Sequence, residues 1–344
     1  MSELAINDYT ELLEDLKQRV RQAQIKAALS INREIIFLYW QIGCEILQRQ
    51  KAQGWGAKVI EQLARDLKNT FPEVRGFSSR NLKYMRLLAE SYPEEEFVQQ
   101  RVAQIPWGHN TLILDKVKGD ARKWYINKTI ENGWSRNILA LQIESGLIHR
   151  QGKAVTNFSQ TLPIPQGDIA RELLKDPYNF TFLTFEEETL ERDLERGLLA
   201  NLKKFLLELG IGFAFVGSQY HLEVGGEDFY LDLLFYHLRL RCFVVIDLKI
   251  TEFKPEYAGK MNFYLSAVDD LLRHDTDAPS IGLILCRDKN RVIAEYTLRD
   301  NNKPIGVSEY RVTKALPNEL QDVFPTVEQL EAKLAVITIN EPDT

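Results

Sequence analysis

The sequence predicts two domains, an all-α N-terminal half with a helix-turn-helix-like segment and an α/β C-terminal half built on a mixed sheet. Three observations predict it. Apolar residues recur at helical spacing through most of positions 7–145, Pro and Gly break the pattern at 151–178, and short aromatic and β-branched runs between helical ones follow. At 344 residues the chain is long enough for two such cores without disulfide support.

Over 7–53, Leu12, Leu16, Val20, Ile35, Leu38, Ile42 and Ile46 keep the helical period with no Pro and no Gly before Gly43, which fits one or two long helices. A second stripe, Val59, Ile60, Leu63, Ala64 and Leu67, occupies 57–68 and ends at Phe71-Pro72 and Gly76. Ser78 then stands as a cap before a helix with Leu82, Met85, Leu88 and Ala89 on one face and Arg80, Lys83 and Arg86 on the others. Helix, turn and basic helix suit a DNA reader with those three cations as nucleic-acid contacts, and they also suit an ordinary antiparallel helix pair. Helical patterns continue over 110–132 and, capped by Ser135, to 145; Trp107, Trp124 and Trp134 read as core residues there rather than base-stacking surfaces.

Pro163, Pro165, Gly167 and Pro177 mark the boundary, giving a helical, candidate DNA-binding domain over 1–155, a linker over 156–178 and an α/β domain over 179–335. Within the last, 186–209 reads as one helix carrying Leu190, Leu194, Leu198, Leu202, Phe205, Leu206 and Leu209. Strands are expected at 213–216, 220–224, 229–236 and 242–249, a helix opened by Pro255 to about 272, and strands at 280–286 and 291–298.

Charge divides along the same line. The net charge of −6 splits into +5 over residues 1–155 and −11 over 156–344, a weak pointer to a basic binding domain beside an acidic one. The three cysteines, Cys44, Cys242 and Cys286, lie far apart in apolar runs and read as small core residues rather than a disulfide or zinc framework. No run approaches the roughly 20 apolar residues of a membrane span, and positions 1–9 carry no secretory signal, so the cytoplasm is the expected location and no membrane partner is expected.

The chemistry concentrates in two expected strands. Strand alternation places Tyr230, Asp232, Leu234 and Tyr236 on one face, and Phe243, Val245, Asp247 and Lys249 on one face of the next. A hairpin turning near 238–240 sets Tyr236 across from Phe243 and Asp232 across from Asp247. Carboxylates that close repel unless a cation or proton lies between them, so the pair is a candidate site for Mg²⁺ or Mn²⁺. The cation would activate water and polarise a phosphoryl oxygen, with Lys249 acting on the water or on the growing phosphate charge. The same triplet also fits a salt-bridged strand pair, and spacing alone leaves both open.

Longer motifs surround the triplet: Phe229-Tyr-Leu-Asp-Leu-Leu-Phe-Tyr-His237, Val245-Ile-Asp-Leu-Lys249, and Glu252-Phe-Lys-Pro-Glu-Tyr-Ala-Gly-Lys-Met-Asn-Phe-Tyr264. With Pro279 to Cys286, Asn302 to Tyr310 and, upstream, Gly76 to Arg86, Ile105-Pro-Trp107 and Asn132-Gly-Trp-Ser135, the chain resembles the YhcG-type proteins of the PD-(D/E)XK nuclease superfamily. The resemblance covers nearly the whole chain. It implies a metal-dependent nuclease hydrolysing phosphodiester bonds, with Asp232 and Asp247 as metal-binding acids and Lys249 as the catalytic lysine. Superfamily members often add an acid from the preceding helix, which Glu195 matches best. Many place Gln, and Tyr four residues later, on the following helix; this chain departs with Lys260, a candidate phosphate contact, and Tyr264, a candidate nucleic-acid contact. Implied partners are nucleic acid, with DNA the expected form, and proteins of restriction systems or of defence against mobile DNA. The alternative is a non-catalytic DNA-binding or protein-interaction component of a defence complex. DNA against RNA, endo- against exonuclease action and homo-oligomer formation stay open at this stage.

Other motifs fail on context. Gly210, Gly212 and Gly217 follow a helix and lead into a strand, the reverse of a dinucleotide-binding loop. His109, His149, His221, His237 and His274 have no metal-ligand spacing; His237 adjoins the Asp232 strand and reads as a turn residue.

Overall fold

The computed structural model describes residues 3–53, 56–185 and 190–314. They form two compact units that meet in sequence between Ile148 and His149. Among the described residues no helix is long and apolar enough to cross a membrane.

The first unit is all helical. Its spine is α1 (Glu3–Gln53), followed by α2 (Ala57–Thr70) and α3 (Ser79–Ser91), with shorter helices at Trp107–Lys116, Ala121–Asn132 and Arg136–Glu144 among those that complete it. The expected stretch 110–132 is thus two helices. Ser78 and Ser135 cap as anticipated, accepting from Asn81 N at 3.2 Å and Ile138 N at 3.4 Å. α3 packs on α1 at Gly43, where a Cβ would lie 2.0 Å from the Met85 carbonyl oxygen, so only glycine admits that approach. Leu82, Met85, Leu88, Ile113 and Ile126 are fully enclosed, and Trp107, Trp124 and Trp134 pack against this core as half-buried side chains.

The second unit is α/β. Its strands are β1 (Val155–Thr156), β2 (Tyr178–Phe185), β3 (Phe213–Val224), β4 (Glu227–His237), β5 (Cys242–Leu248), β6 (Ile281–Cys286) and β7 (Ile305–Lys314). The sheet order is β1-β7-β6-β5-β4-β3, with β2 also pairing β7. β3, β4 and β5 pair antiparallel, and β5, β6 and β7 pair parallel, which makes the sheet mixed as expected. Two cores form. Leu194, Leu198, Phe205, Leu233, Phe235, Val244, Ile246 and Leu283 share one. Ala258, Met261, Leu265, Leu234, Val245, Ile284 and Val307 share the other. The alternation along β4 and β5 feeds both.

Several expectations change. Residues 156–178 are no free linker: Phe158, Leu162, Ala170, Leu174 and Tyr178 are core residues of the second unit, which begins at His149. Pro163 and Pro165 open a helix, Ile164–Leu173, and do not disperse the chain. Positions 291–298 are not a strand but lie in the helix Arg291–Arg299, whose Asn290 cap accepts from Val292 N and Ile293 N and whose Ala294 and Leu298, four apart, are buried. The expected helix 186–209 is Glu191–Ala200 and Leu202–Leu209, broken at Asn201, with 186–189 outside the described residues. The expected domain end, 315–335, lies outside them too.

Candidate active site

β4 and β5 hold the acids. Tyr236 pairs with Phe243 and Leu233 with Ile246, so one further step sets Asp232 across from Asp247. Asp232 Oδ2 accepts from the Leu248 backbone N–H at 2.8 Å, which ties the two strands together at that step. Pairing of β3 with β4 lapses where Gln219, at φ 44°, lies opposite Asp232. Gln219 donates to Glu195 Oε2 at 2.6 Å.

Asp247 is 2% exposed and sits between two cations. Lys249 Nζ is 2.9 Å from its Oδ2 and Lys260 Nζ 3.5 Å from its Oδ1. The Lys249 contact pairs charge without hydrogen-bond alignment, since Asp247 Oδ2 is a buried oxygen that accepts no hydrogen bond among the described residues. Lys249 Nζ donates instead to the Leu248 carbonyl at 2.9 Å and to Glu191 Oε2 at 3.5 Å. Tyr257 presents its ring 5.4 Å from that ammonium, and the Tyr310 hydroxyl donates to the Lys249 carbonyl at 3.2 Å.

The electrostatics follow. Burial and the neighbouring Asp247 carboxylate push Asp232 up to about 6, against the Leu248 N–H and the two lysines that hold it down. Burial works against the charge on Lys249, yet Asp247, Asp232 and Glu191 together raise its pKa. Lys260 is raised the same way, burial being outweighed by Asp247 and Tyr264. Two carboxylates face each other, one destabilised as an anion and the other holding an oxygen whose ammonium neighbour is not aligned to donate. That donor set fits an oxygen-coordinated divalent cation completed by water and phosphate. Among the described residues no three or more His, Cys, Asp or Glu cluster in a metal-holding group.

The structure therefore brings Asp232, Asp247, Lys249 and Lys260 together. Glu195 is buried one turn from Glu191 on the helix Glu191–Ala200 and is engaged by Gln219. The helix acid that meets Lys249 is Glu191, which sequence alone does not single out because a half-exposed Glu at a helix start looks like any solvated one. Gln219 is equally hidden, since its role comes from a backbone turn inside a strand. Tyr264 departs from expectation: it is 5% exposed, and its hydroxyl donates to the Tyr230 carbonyl at 3.1 Å. It braces β4 and lies 5.2 Å from Lys260 Nζ, so a surface contact with nucleic acid is not its position. His237 is a buried turn residue whose Nδ1 accepts from Leu240 N, and Cys242 and Cys286 are core thiols pushed up to about 12 by burial.

In the helical unit, Arg80 and Lys83 are exposed on α3. Arg80 lies 5.6 Å from the Tyr84 ring centre, and Arg86 pairs with Glu90 at 3.3 Å.

A sheet carrying an Asp on one strand and Asp-Leu-Lys on the next is the arrangement that defines the PD-(D/E)XK nuclease class. Residues 171–325 match the family model described as the YhcG PDDEXK nuclease domain, and residues 15–150 match the DUF1016 N-terminal domain. The Escherichia coli (strain K12) protein named "Putative nuclease YhcG" is 30% identical over 357 residues, covering 93% of this chain and 94% of that one. The chain belongs to the YhcG family. Among solved structures it is similar to a repair endonuclease from Pyrococcus abyssi, at 13% identity and TM-score 0.25 over 38% of this chain and 49% of that one. An EndoMS–dsDNA complex gives 14% identity and TM-score 0.26 over 39% and 49%. Each of these matches spans about half of the other protein.

Proposed function

We propose that the protein is a divalent-metal-dependent nuclease that hydrolyses phosphodiester bonds, with DNA as substrate and a role in restriction or in defence against mobile DNA. The observation that carries the reading is Asp247: a buried carboxylate across from Asp232 with one oxygen accepting no hydrogen bond. Burying a carboxylate oxygen without an aligned donor is costly, and a site that awaits a ligand explains its persistence. Asp232 and Asp247 would hold Mg²⁺ or Mn²⁺, which when bound supplies Lewis-acid polarisation of a phosphoryl oxygen and an acidified water.

The chain's own groups do the rest. Lys249, kept charged by three carboxylates, orients the attacking water or stabilises the charge that grows on the phosphate. Glu191 and the Leu248 carbonyl fix that ammonium, and Glu195 stands one turn further along the helix as a supporting acid. Lys260 approaches from the opposite helix as a phosphate contact. In the helical unit, exposed Arg80 and Lys83, with Arg86, would take DNA phosphates, consistent with the basic balance of residues 1–155.

The ion pair between Lys249 and Asp247 also favours a second reading, in which the triplet is only a strand clamp within a non-catalytic component. One experiment separates the two. Asp247→Asn and Lys249→Ala should each lower Mg²⁺-dependent cleavage of DNA by roughly a hundredfold or more while both proteins keep their folded spectra. Cleavage at the wild-type rate in both variants, or none by the wild type on any nucleic acid with Mg²⁺ or Mn²⁺, leaves the clamp reading.

A further inference from the structure

The carboxyl ends of β5 and β6 are tied together beyond the strands themselves. The Lys249 backbone N–H donates to the Leu285 carbonyl at 2.8 Å, that of Arg287 to the Thr251 carbonyl at 3.1 Å and that of Phe253 to the Asp288 carbonyl at 2.8 Å. The backbone of Arg287 is therefore fixed beside the segment that follows Lys249. Open α/β sheets bind their ligands at this end of parallel strands.

Alternation sends the Arg287 side chain to one layer. Leu283 and Leu285 pack in the core shared with the helix Glu191–Ala200, and Arg287 follows them at the same two-residue period. Tyr310, in the same core, shows where the guanidinium lies. Its hydroxyl donates to the Lys249 carbonyl at 3.2 Å. Burial pushes that hydroxyl up to about 12, while Arg287 pulls it down and Glu191 pushes it up, so both charges lie within electrostatic reach of it.

Neighbouring cations are occupied and Arg287 is not. Lys249 pairs with Asp247 and Glu191, and Lys289 with Asp176 and Glu309. Arg287 is exposed and, among the described residues, has no carboxylate within ion-pair distance and no side-chain hydrogen bond. A guanidinium anchored at its backbone with its N–H fork open suits bidentate recognition of a phosphate. Asp247 is level with Ile284 of β6, so Arg287 stands three residues, roughly 10 Å, beyond the acids. That is past a phosphate held by the acids and toward its neighbour along the backbone. Lys260 meets Asp247 from the opposite layer, that of the helix Pro255–Leu271, so the two cations bracket the acid pair.

We propose that Arg287 is a substrate-positioning residue that binds the DNA phosphate next to the one attacked. The assignment rests on the nuclease reading of the Asp232 and Asp247 site.

The test uses the full-length chain, with binding of a short fluorescent DNA duplex measured by anisotropy in Ca²⁺ and cleavage measured in Mg²⁺. Arg287→Ala should weaken binding about tenfold and reduce the slope of log affinity against log salt by about 0.9, the share of one phosphate. In cleavage the loss should fall on KM, with kcat within about twofold of wild type, because the contact is equally strong before and during the chemical step. Arg287→Lys should recover most of the affinity, and Arg287→Glu should lose more than Arg287→Ala. All three should keep the wild-type melting midpoint, since the side chain is exposed. Unaltered affinity and salt slope in Arg287→Ala overturn the proposal. So does a kcat loss at unchanged KM, a fall in melting midpoint that accounts for the weaker binding, or a wild type that binds no DNA. A wild type that binds DNA and cuts no nucleic acid defeats the nuclease reading alone, and the binding comparison still decides whether Arg287 holds a phosphate.

Discussion

Glu208 and Asp247 are buried to a similar depth in the same α/β unit, each between two cations, but their surroundings differ in one respect. Around Glu208 the hydrogen bonds close. Its Oε1 accepts from Arg150 at 2.6 Å and from Asn179 N at 2.8 Å, its Oε2 lies 3.8 Å from Lys175, and Lys175 donates to the Glu208 carbonyl. Around Asp247 they do not, and Oδ2 accepts none. A closed cluster serves the fold, whereas an open one keeps acceptor capacity that a ligand can use. The helical unit offers the contrast at larger scale: among the described residues its buried polar side chains, Asn110, Thr129 and Gln142, are all uncharged.

The largest effect should come from the closed cluster. Glu208→Gln leaves Arg150 and Lys175 buried without their anion, and breaking such a pair costs about 3–5 kcal/mol. Burial already pulls Lys175 down to about 8 with Glu208 in place, so its charge depends on that carboxylate. Asp247→Asn takes one anion from the buried Lys249 but relieves a repulsion with Asp232, and Glu191 and Asp232 still face that ammonium, so its cost should be smaller, about 1–2 kcal/mol. Urea unfolding of the two variants, without divalent cations, makes the comparison; equal losses would erase the distinction between the clusters.

Much of the open cluster was legible in sequence, and almost none of the closed one. Asp232, Asp247 and Lys249 interrupt runs of β-branched and aromatic residues, and a charge there stands out whatever the tertiary structure. Their register followed from the short turn at 238–240, because a hairpin links local spacing to cross-strand position. Arg150, Lys175 and Glu208 sit 25 and 33 residues apart in irregular or helical segments where charge is unremarkable. Nothing local announces that they meet. The same limit hid β7, whose neighbours β6 and β1 lie in separate parts of the chain, and hid the packing of 156–178, where proline signals a break in regular pattern without saying whether the segment is buried. The helix Arg291–Arg299 reads as a strand because Val292, Ile293 and Tyr296 favour strands by composition, while the Asn290 cap and the spacing of Ala294 and Leu298 decide for a helix.

A smaller effect should appear in the pH dependence of stability. Asp232 titrates at about 6 in the folded protein, against an ordinary 3.8. Between those values the native state holds a proton that the unfolded chain has released, so stability should fall as pH rises from about 4 to 6 and level off above. Asp232→Asn should remove that slope, measured as the difference in melting midpoint between variant and wild type in chelator. Added Mg²⁺ should recover wild-type stability above pH 6 and do little for the variant. A difference that is flat across the window would mean that Asp232 is not held up by Asp247 and burial.

Lys260 should give the smallest effect and the sharpest division between an open and a closed cluster. Its side chain is 46% exposed, so its ion pair with Asp247 at 3.5 Å is screened and should add less than about 1 kcal/mol to stability. As a cation poised beside the acids it would still meet a phosphate. Lys260→Ala should therefore leave the melting midpoint nearly unchanged and lower cleavage about tenfold at saturating Mg²⁺, near 1.4 kcal/mol of transition-state stabilisation. Lys260→Gln should lose less, because an amide can still donate to a phosphoryl oxygen. The half-saturating Mg²⁺ concentration distinguishes this from mere neutralisation of Asp247. If Lys260 only screens the carboxylate, its removal should tighten metal binding and leave cleavage intact once metal is saturating. A rate loss that persists at saturating metal assigns it to the substrate, and a melting loss as large as that of Glu208→Gln would place it in the fold instead.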